Sequence, residues 1–142
     1  MKINIIYWSG TGNTEAMAEL IRSGAEGAGA SVTLRNVSAA SADDLNCDVL
    51  ALGCPSMGAE VLEESEFEPF IESIEGSVNG RKLALFGSYG WGGGEWLRDW
   101  TARMEEAGAA LAAESLMVNG APDGASAEQC RAFGAKIAGG KK

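Results

Sequence analysis

Short runs of aliphatic and β-branched residues alternate with longer stretches of helical periodicity along the chain. This alternation limits the fold more than any other feature. The runs are Lys2–Trp8, Asp48–Cys54, Lys82–Gly87 and about Ala110–Val118, with a weaker fifth at Ser31–Val37. Between them, Met17, Leu20 and Ile21 share a helix face that Asn13 or Thr14 would cap and Gly27 or Gly29 would stop. Glu66–Ile74 reads as a short helix with Pro69 tolerated in its first turn. Gly94–Gly108 sets Trp96, Leu97, Trp100 and Met104 three or four residues apart, and Ala127–Ile137 precedes a tail, Gly139–Lys142, expected to fray. Strands alternating with such helices predict an α/β fold, a doubly wound, five-stranded parallel sheet with helices on both faces. Residues 1–142 read as one domain without linker or repeat.

In such a sheet, a ligand sits beyond the carboxyl ends of the strands, so the loops after Trp8, Cys54 and Gly87 belong together. Composition narrows what they do. The chain has no histidine, which removes Ser-His-Asp and Cys-His nucleophiles and His-ligated metals. A formal net charge of −9 argues against a nucleic-acid partner and for a basic protein partner. Cys47, Cys54 and Cys130 have no C-x-x-C spacing, so reduced thiols in a cytoplasm are expected. The apolar stretch Ile3–Trp8 is too short for a signal peptide or a membrane span.

Ser9-Gly10-Thr11-Gly12-Asn13-Thr14 joins the first strand to the first helix. Its hydroxyls and backbone N–H groups, at a helix N-terminus, suit an anion. No Lys or Arg occurs between Lys2 and Arg22, so a triphosphate loop is absent; Glu15 stands where a dinucleotide fingerprint needs its third glycine. A single monophosphate fits, although an ordinary helix-capping loop reads the same way in isolation. The first strand ends without the carboxylates of a phosphoacceptor domain, and no cysteine has an arginine six residues on, as a small tyrosine phosphatase requires.

Cys54-Pro55-Ser56-Met57-Gly58-Ala59-Glu60 leaves the third strand, and Ser88-Tyr89-Gly90-Trp91-Gly92-Gly93-Gly94 leaves the fourth. Glycines let backbone approach a ligand closely, and Trp91 among them offers a stacking face. Met57 is a soft apolar counterpart or a packing residue.

These three loops together resemble those of flavodoxins, most closely the short-chain type, over essentially the whole chain. That resemblance, rather than any spacing, implies strand order 2-1-3-4-5 with FMN at the switch point, an arrangement for which flavodoxin is itself the reference example. It implies that Ser9, Thr11, Gly12, Asn13 and Thr14 hold the FMN phosphate, with Ser88 nearby. It further implies that Met57 and Trp91 sandwich the isoalloxazine. Gly58 would present its carbonyl to flavin N5, Glu60 would meet the N3 edge, and backbone groups of Gly90–Gly92 the pyrimidine oxygens. Gly10, Ser56, Ala59 and Tyr89 complete the candidate cofactor set, with no catalytic or metal-ligating residue expected. Ala59, Gly93 and Pro55 depart from the family pattern. A four-residue turn Met57–Glu60 is expected, with Ala59 disfavouring its type II form.

Glu60, Glu63, Glu64, Glu66, Glu68, Glu72 and Glu75 form an acidic run beside the second loop. It reads either as a solvated helix face or, because it starts at the candidate flavin loop, as a negative field that would oppose an anionic reduced flavin and steer basic redox partners. The function implied is a low-potential FMN electron carrier, shuttling single electrons between redox proteins through a stabilised neutral semiquinone, as a monomer. The alternative is an NAD(P)H-dependent FMN or quinone reductase of similar fold, which needs room over the ring and cations for a second phosphate ligand. A phosphate-binding regulatory module without flavin is a third class.

Overall fold

Residues 1–58 and 60–139 are described in the computed structural model; Ala59, and Gly140–Lys142 of the expected frayed tail, lie outside them. The strands are β1 (Lys2–Tyr7), β2 (Ser31–Asn36), β3 (Val49–Gly53), β4 (Lys82–Tyr89), β5 (Ala110–Leu111) and β6 (Leu116–Asn119). The helices are α1 (Asn13–Gly27), α2 (Phe67–Ile74), α3 (Glu95–Glu106) and α4 (Gly124–Ile137). All strand pairs are parallel, in the order β2-β1-β3-β4-β5, with β6 also paired to β4.

The central strands are mostly apolar because both faces are covered; the buried exception in the middle of β1, Asn4, donates its side-chain amide to the Asp44 carbonyl at 2.9 Å. Ile6, Leu50, Leu52, Leu83 and Leu85 pack against α2 and α3, where Phe67 meets Trp100 edge to face at 5.4 Å. Ile3, Ile5, Val49, Ala51, Ala84 and Phe86 alternate with them and pack against α1 and α4. Helices α1 and α4 approach too closely at two points to admit a side chain between them. A Cβ on Gly24 would lie 1.9 Å from the Arg131 carbonyl oxygen, and one on Gly134 would lie 2.0 Å from that of Ile21.

Three local expectations are corrected. The strand expected over Ala110–Val118 is split: four residues, 112–115, stand opposite two, Ala84 and Leu85, between the paired stretches. The extra length turns away to α3, where Ser115 Oγ meets Thr101 Oγ1 at 2.7 Å. Helix α1 is preceded by Gly12 at φ 98°, so neither Asn13 nor Thr14 is its cap. Helix α4 starts at Gly124, ahead of Ala127, because the Asp123 N–H donates to Ser126 Oγ at 2.9 Å. Among the described residues, no helix is long and apolar enough to cross a membrane.

Candidate functional site

The loops after β1, β3, β4 and β6 meet at the carboxyl end of the sheet around a cleft of about 280 Å³. Trp8, Gly10, Thr11, Asn13, Pro55, Ser56, Met57, Ser88, Tyr89, Gly90 and Gly120 line it.

On one side, Ser9 Oγ accepts the N–H groups of Gly12 (3.1 Å) and Glu15 (3.3 Å), which curls the loop onto the start of α1. Among the described residues, the N–H groups of Gly10, Thr11, Asn13 and Thr14 have no protein acceptor. Four amides left open at a helix N-terminus form an anion cradle. Thr14 Oγ1 accepts the Ser88 N–H at 3.4 Å while keeping its own proton to donate. Ser88 Oγ donates to the Gly120 carbonyl at 2.8 Å, stitching β4 to the β6 loop.

On the other side, the Ser56 N–H donates to the Ser88 carbonyl at 3.0 Å. Met57 and Val61 exchange backbone hydrogen bonds of 3.1 and 3.2 Å. This pair closes the loop one residue later than the expected Met57–Glu60 turn. Gly58 (φ 28°) and Glu60 (φ 56°) both have positive φ; Ala59 between them lies outside the described residues. Glu60 Oε1 accepts the Glu95 N–H at 3.2 Å, at the start of α3. Gly92 leaves room for that carboxylate: a Cβ there would lie 2.6 Å from Glu60 Oε1. Arg98 Nη1 donates to the Gly93 carbonyl at 2.7 Å, fixing the far side of the same loop.

The tryptophans divide by role. Trp96 and Trp100 are core residues, and Trp96 Nε1 donates to the Cys54 carbonyl at 3.0 Å. Trp91 is 62% exposed, so it does no packing that would account for it. Among the described residues, the N–H groups of Gly90, Trp91 and Gly92 also have no protein acceptor. Ser9, Gly12 and Thr14 shape the cradle from behind, while Gly58, Glu60, Trp91 and Gly92 stand outside the cleft lining. Trp8, Pro55 and Gly120 also line the cleft and are not among the residues expected there. Gly120 joins the site only because β6 ends beside β4, and Trp8 does so because β1 ends one residue before it.

The acidic run is not one solvated face. Glu63 is 6% exposed and folds back onto its own chain. Burial opposes its ionisation, but hydrogen bonds from the Ser65 hydroxyl and the Phe67, Glu66 and Ser65 amides outweigh it and hold the carboxyl at about 2. Arg103 pairs with Glu68 at 2.7 Å and Glu75 at 3.0 Å, which lowers the Glu75 carboxyl and raises the guanidinium. Glu66 Oε1 accepts Trp8 Nε1 at 3.2 Å. Glu64 and Glu72 are exposed and, among the described residues, have no such bond. Burial pushes the Cys54 thiol up to about 12 and the Cys130 thiol to about 11. Among the described residues there is no group of metal-ligating side chains.

Open amides placed for one phosphate, an exposed indole, and further open amides beside it suit a flavin mononucleotide. The comparisons agree. The flavodoxin family profile matches residues 5–134. A flavodoxin of Clostridium beijerinckii is 54% identical over 96% of this chain and 99% of its own. One of Megasphaera elsdenii is 45% identical over 93% of this chain and 95% of its own. The solution structure of two-electron reduced Megasphaera elsdenii flavodoxin superposes with a TM-score of 0.88, at 43% identity, over 96% of this chain and 98% of that one. A strand order with its switch between β1 and β3, a phosphate-type cradle opening α1, and these near full-length likenesses together make this chain a member of the flavodoxin family, FMN-carrying electron-transfer proteins rather than enzymes.

Proposed function

We propose that the chain is a low-potential carrier of single electrons, cycling through a stabilised neutral semiquinone of its FMN. One observation supports this reading: the open amides of Gly10, Thr11, Asn13 and Thr14 share one cleft with Gly90, the neighbour of the exposed Trp91, so the same cleft offers a phosphate site and a stacking face. The FMN supplies the redox chemistry when bound. Ser9 to Thr14 hold its phosphate with Ser88 behind them; Met57 and Trp91 cover the ring; Gly58, Glu60 and Gly90–Gly92 address its polar edge. Gly10, Ser56 and Tyr89 contribute wall and backbone, and Ala59 shares the Gly58 loop.

The acidic run with Glu60, Glu64 and Glu66, which starts in the loop proposed to address the ring, would make added negative charge on the flavin unfavourable and lower the potential of the last reduction step. The same charges steer a basic redox protein towards the Trp91 edge. The monomer works in the cytoplasm, where Cys47, Cys54 and Cys130 stay reduced. The reductase reading is disfavoured because the 3–21, 48–80, 83–97 and 116–130 segments, which supply every cleft loop, contain no Lys or Arg for a second phosphate ligand.

Reductive titration of the FMN-loaded protein with a spectrum at each step tests this. A blue one-electron species at intermediate reduction is expected. Direct two-electron bleaching, or rapid NADPH oxidation by the protein alone, overturns it.

A further inference from the structure

We infer that Trp8 makes this a mononucleotide site: its indole, braced by Glu66, walls the phosphate loop so that FMN is accepted and the dinucleotide FAD refused. The inference rests on the reading that the flavin phosphate sits at Ser9–Thr14.

The Trp8 N–H donates to the Gly53 carbonyl at 3.0 Å, holding the chain where it leaves the sheet. Its indole then lies over the loop. A Cβ on Gly10 would come within 3.0 Å of Trp8 Cη2 and 3.3 Å of Cζ3. Trp8 Nε1 donates to Glu66 Oε1 at 3.2 Å, which fixes the ring and places a carboxylate behind it. Beyond the loop's other end, Glu15 opens α1, its carboxylate accepting the Tyr7 hydroxyl at 3.1 Å. A phosphate attached to the first would therefore meet an indole wall and acidic flanks.

Among the described residues, the cleft lining offers no cation to offset this. The cleft-bearing segments contain no Lys or Arg, and the nearby Arg98 is engaged on the Gly93 carbonyl. Unpaired phosphate charge beside carboxylates costs both desolvation and repulsion.

The test measures riboflavin, FMN and FAD affinities by flavin fluorescence for the natural protein, Trp8→Leu, Trp8→Phe and Glu66→Gln, at low and high salt. The ratio of FAD to FMN dissociation constants should fall about tenfold or more in Trp8→Leu and less in Trp8→Phe, which keeps a ring. Glu66→Gln still accepts the indole N–H but loses the charge, so the ratio should fall at low salt and recover at high salt. An unchanged ratio in both Trp8→Leu and Glu66→Gln overturns the inference. If Trp8→Leu binds neither flavin, Glu66→Gln decides by the same ratio. Riboflavin binding as tightly as FMN to the natural protein instead overturns the phosphate placement itself.

Discussion

Replacing Glu63 by Ala should destabilise the fold in a strongly pH-dependent way. The Glu63 carboxylate takes four hydrogen bonds from Ser65, Glu66 and Phe67 at the entry to α2, and the Phe67 amide is itself buried. The carboxyl sits at about 2 against an ordinary 4.5. That gap of about 2.5 units corresponds to about 3 kcal/mol of stability. Because the folded value is the lower one, the contribution is fully present above the ordinary carboxyl range and is lost as pH falls towards 2. About half of it remains at pH 3, by the same linkage. Urea unfolding of the natural protein and Glu63→Ala, both without FMN, should differ by about 3 kcal/mol at neutral pH. The difference should shrink to about half near pH 3. A difference that stays constant over this range, or one below about 0.5 kcal/mol at neutral pH, refutes the capping role.

Trp91→Ala should leave the unfolding of the FMN-free protein within about 0.5 kcal/mol of the natural one, since the indole is mostly in solvent. It should nonetheless weaken FMN binding by at least about 0.5–1.5 kcal/mol, measured by flavin fluorescence; the opposite pattern returns Trp91 to packing. Replacing Glu64 and Glu66 together by Gln, with Glu63 left alone, should raise the potential of the second reduction step at low salt and less at high salt. No shift at low salt in a spectroelectrochemical titration removes the electrostatic argument. Gly134→Ala forces α1 and α4 apart, because the new Cβ falls 2.0 Å from the Ile21 carbonyl oxygen. A loss of about 1–3 kcal/mol in urea unfolding is expected, and a neutral result would mean that the helices separate freely.

The site brings its parts together through contacts of very different reach. The cradle is made within six consecutive residues, Ser9 to Thr14, and Ser9 Oγ organises it locally. The ring side depends on joining distant segments, as where Glu60 meets Glu95 and where Ser56 meets Ser88. Mutations in the cradle should therefore act on phosphate affinity, while those in the joined loops should also change how the ring is held.

What the sequence determined by itself was what repeats or acts locally. Strands buried on both faces are predominantly apolar, so β1, β3 and β4 were legible, as were the α3 face with Trp96, Leu97, Trp100 and Met104 and the loop Ser9–Thr14. Resemblance added the loops proposed to bind the ring, because their motifs are short and contiguous. Only the tertiary structure decided what depends on partners far along the chain. The acids from Glu60 to Glu75 are alike in sequence. Yet Glu63 becomes a buried cap, Glu68 and Glu75 close on Arg103, and Glu66 braces Trp8, because folding brings a different donor to each. The need for glycine at 24 and 134 comes from the close contact of α1 with α4. The split between β5 and β6 appears only against the register of β4. Periodicity records which face of an element is buried; it carries no record of which atom on another element arrives there.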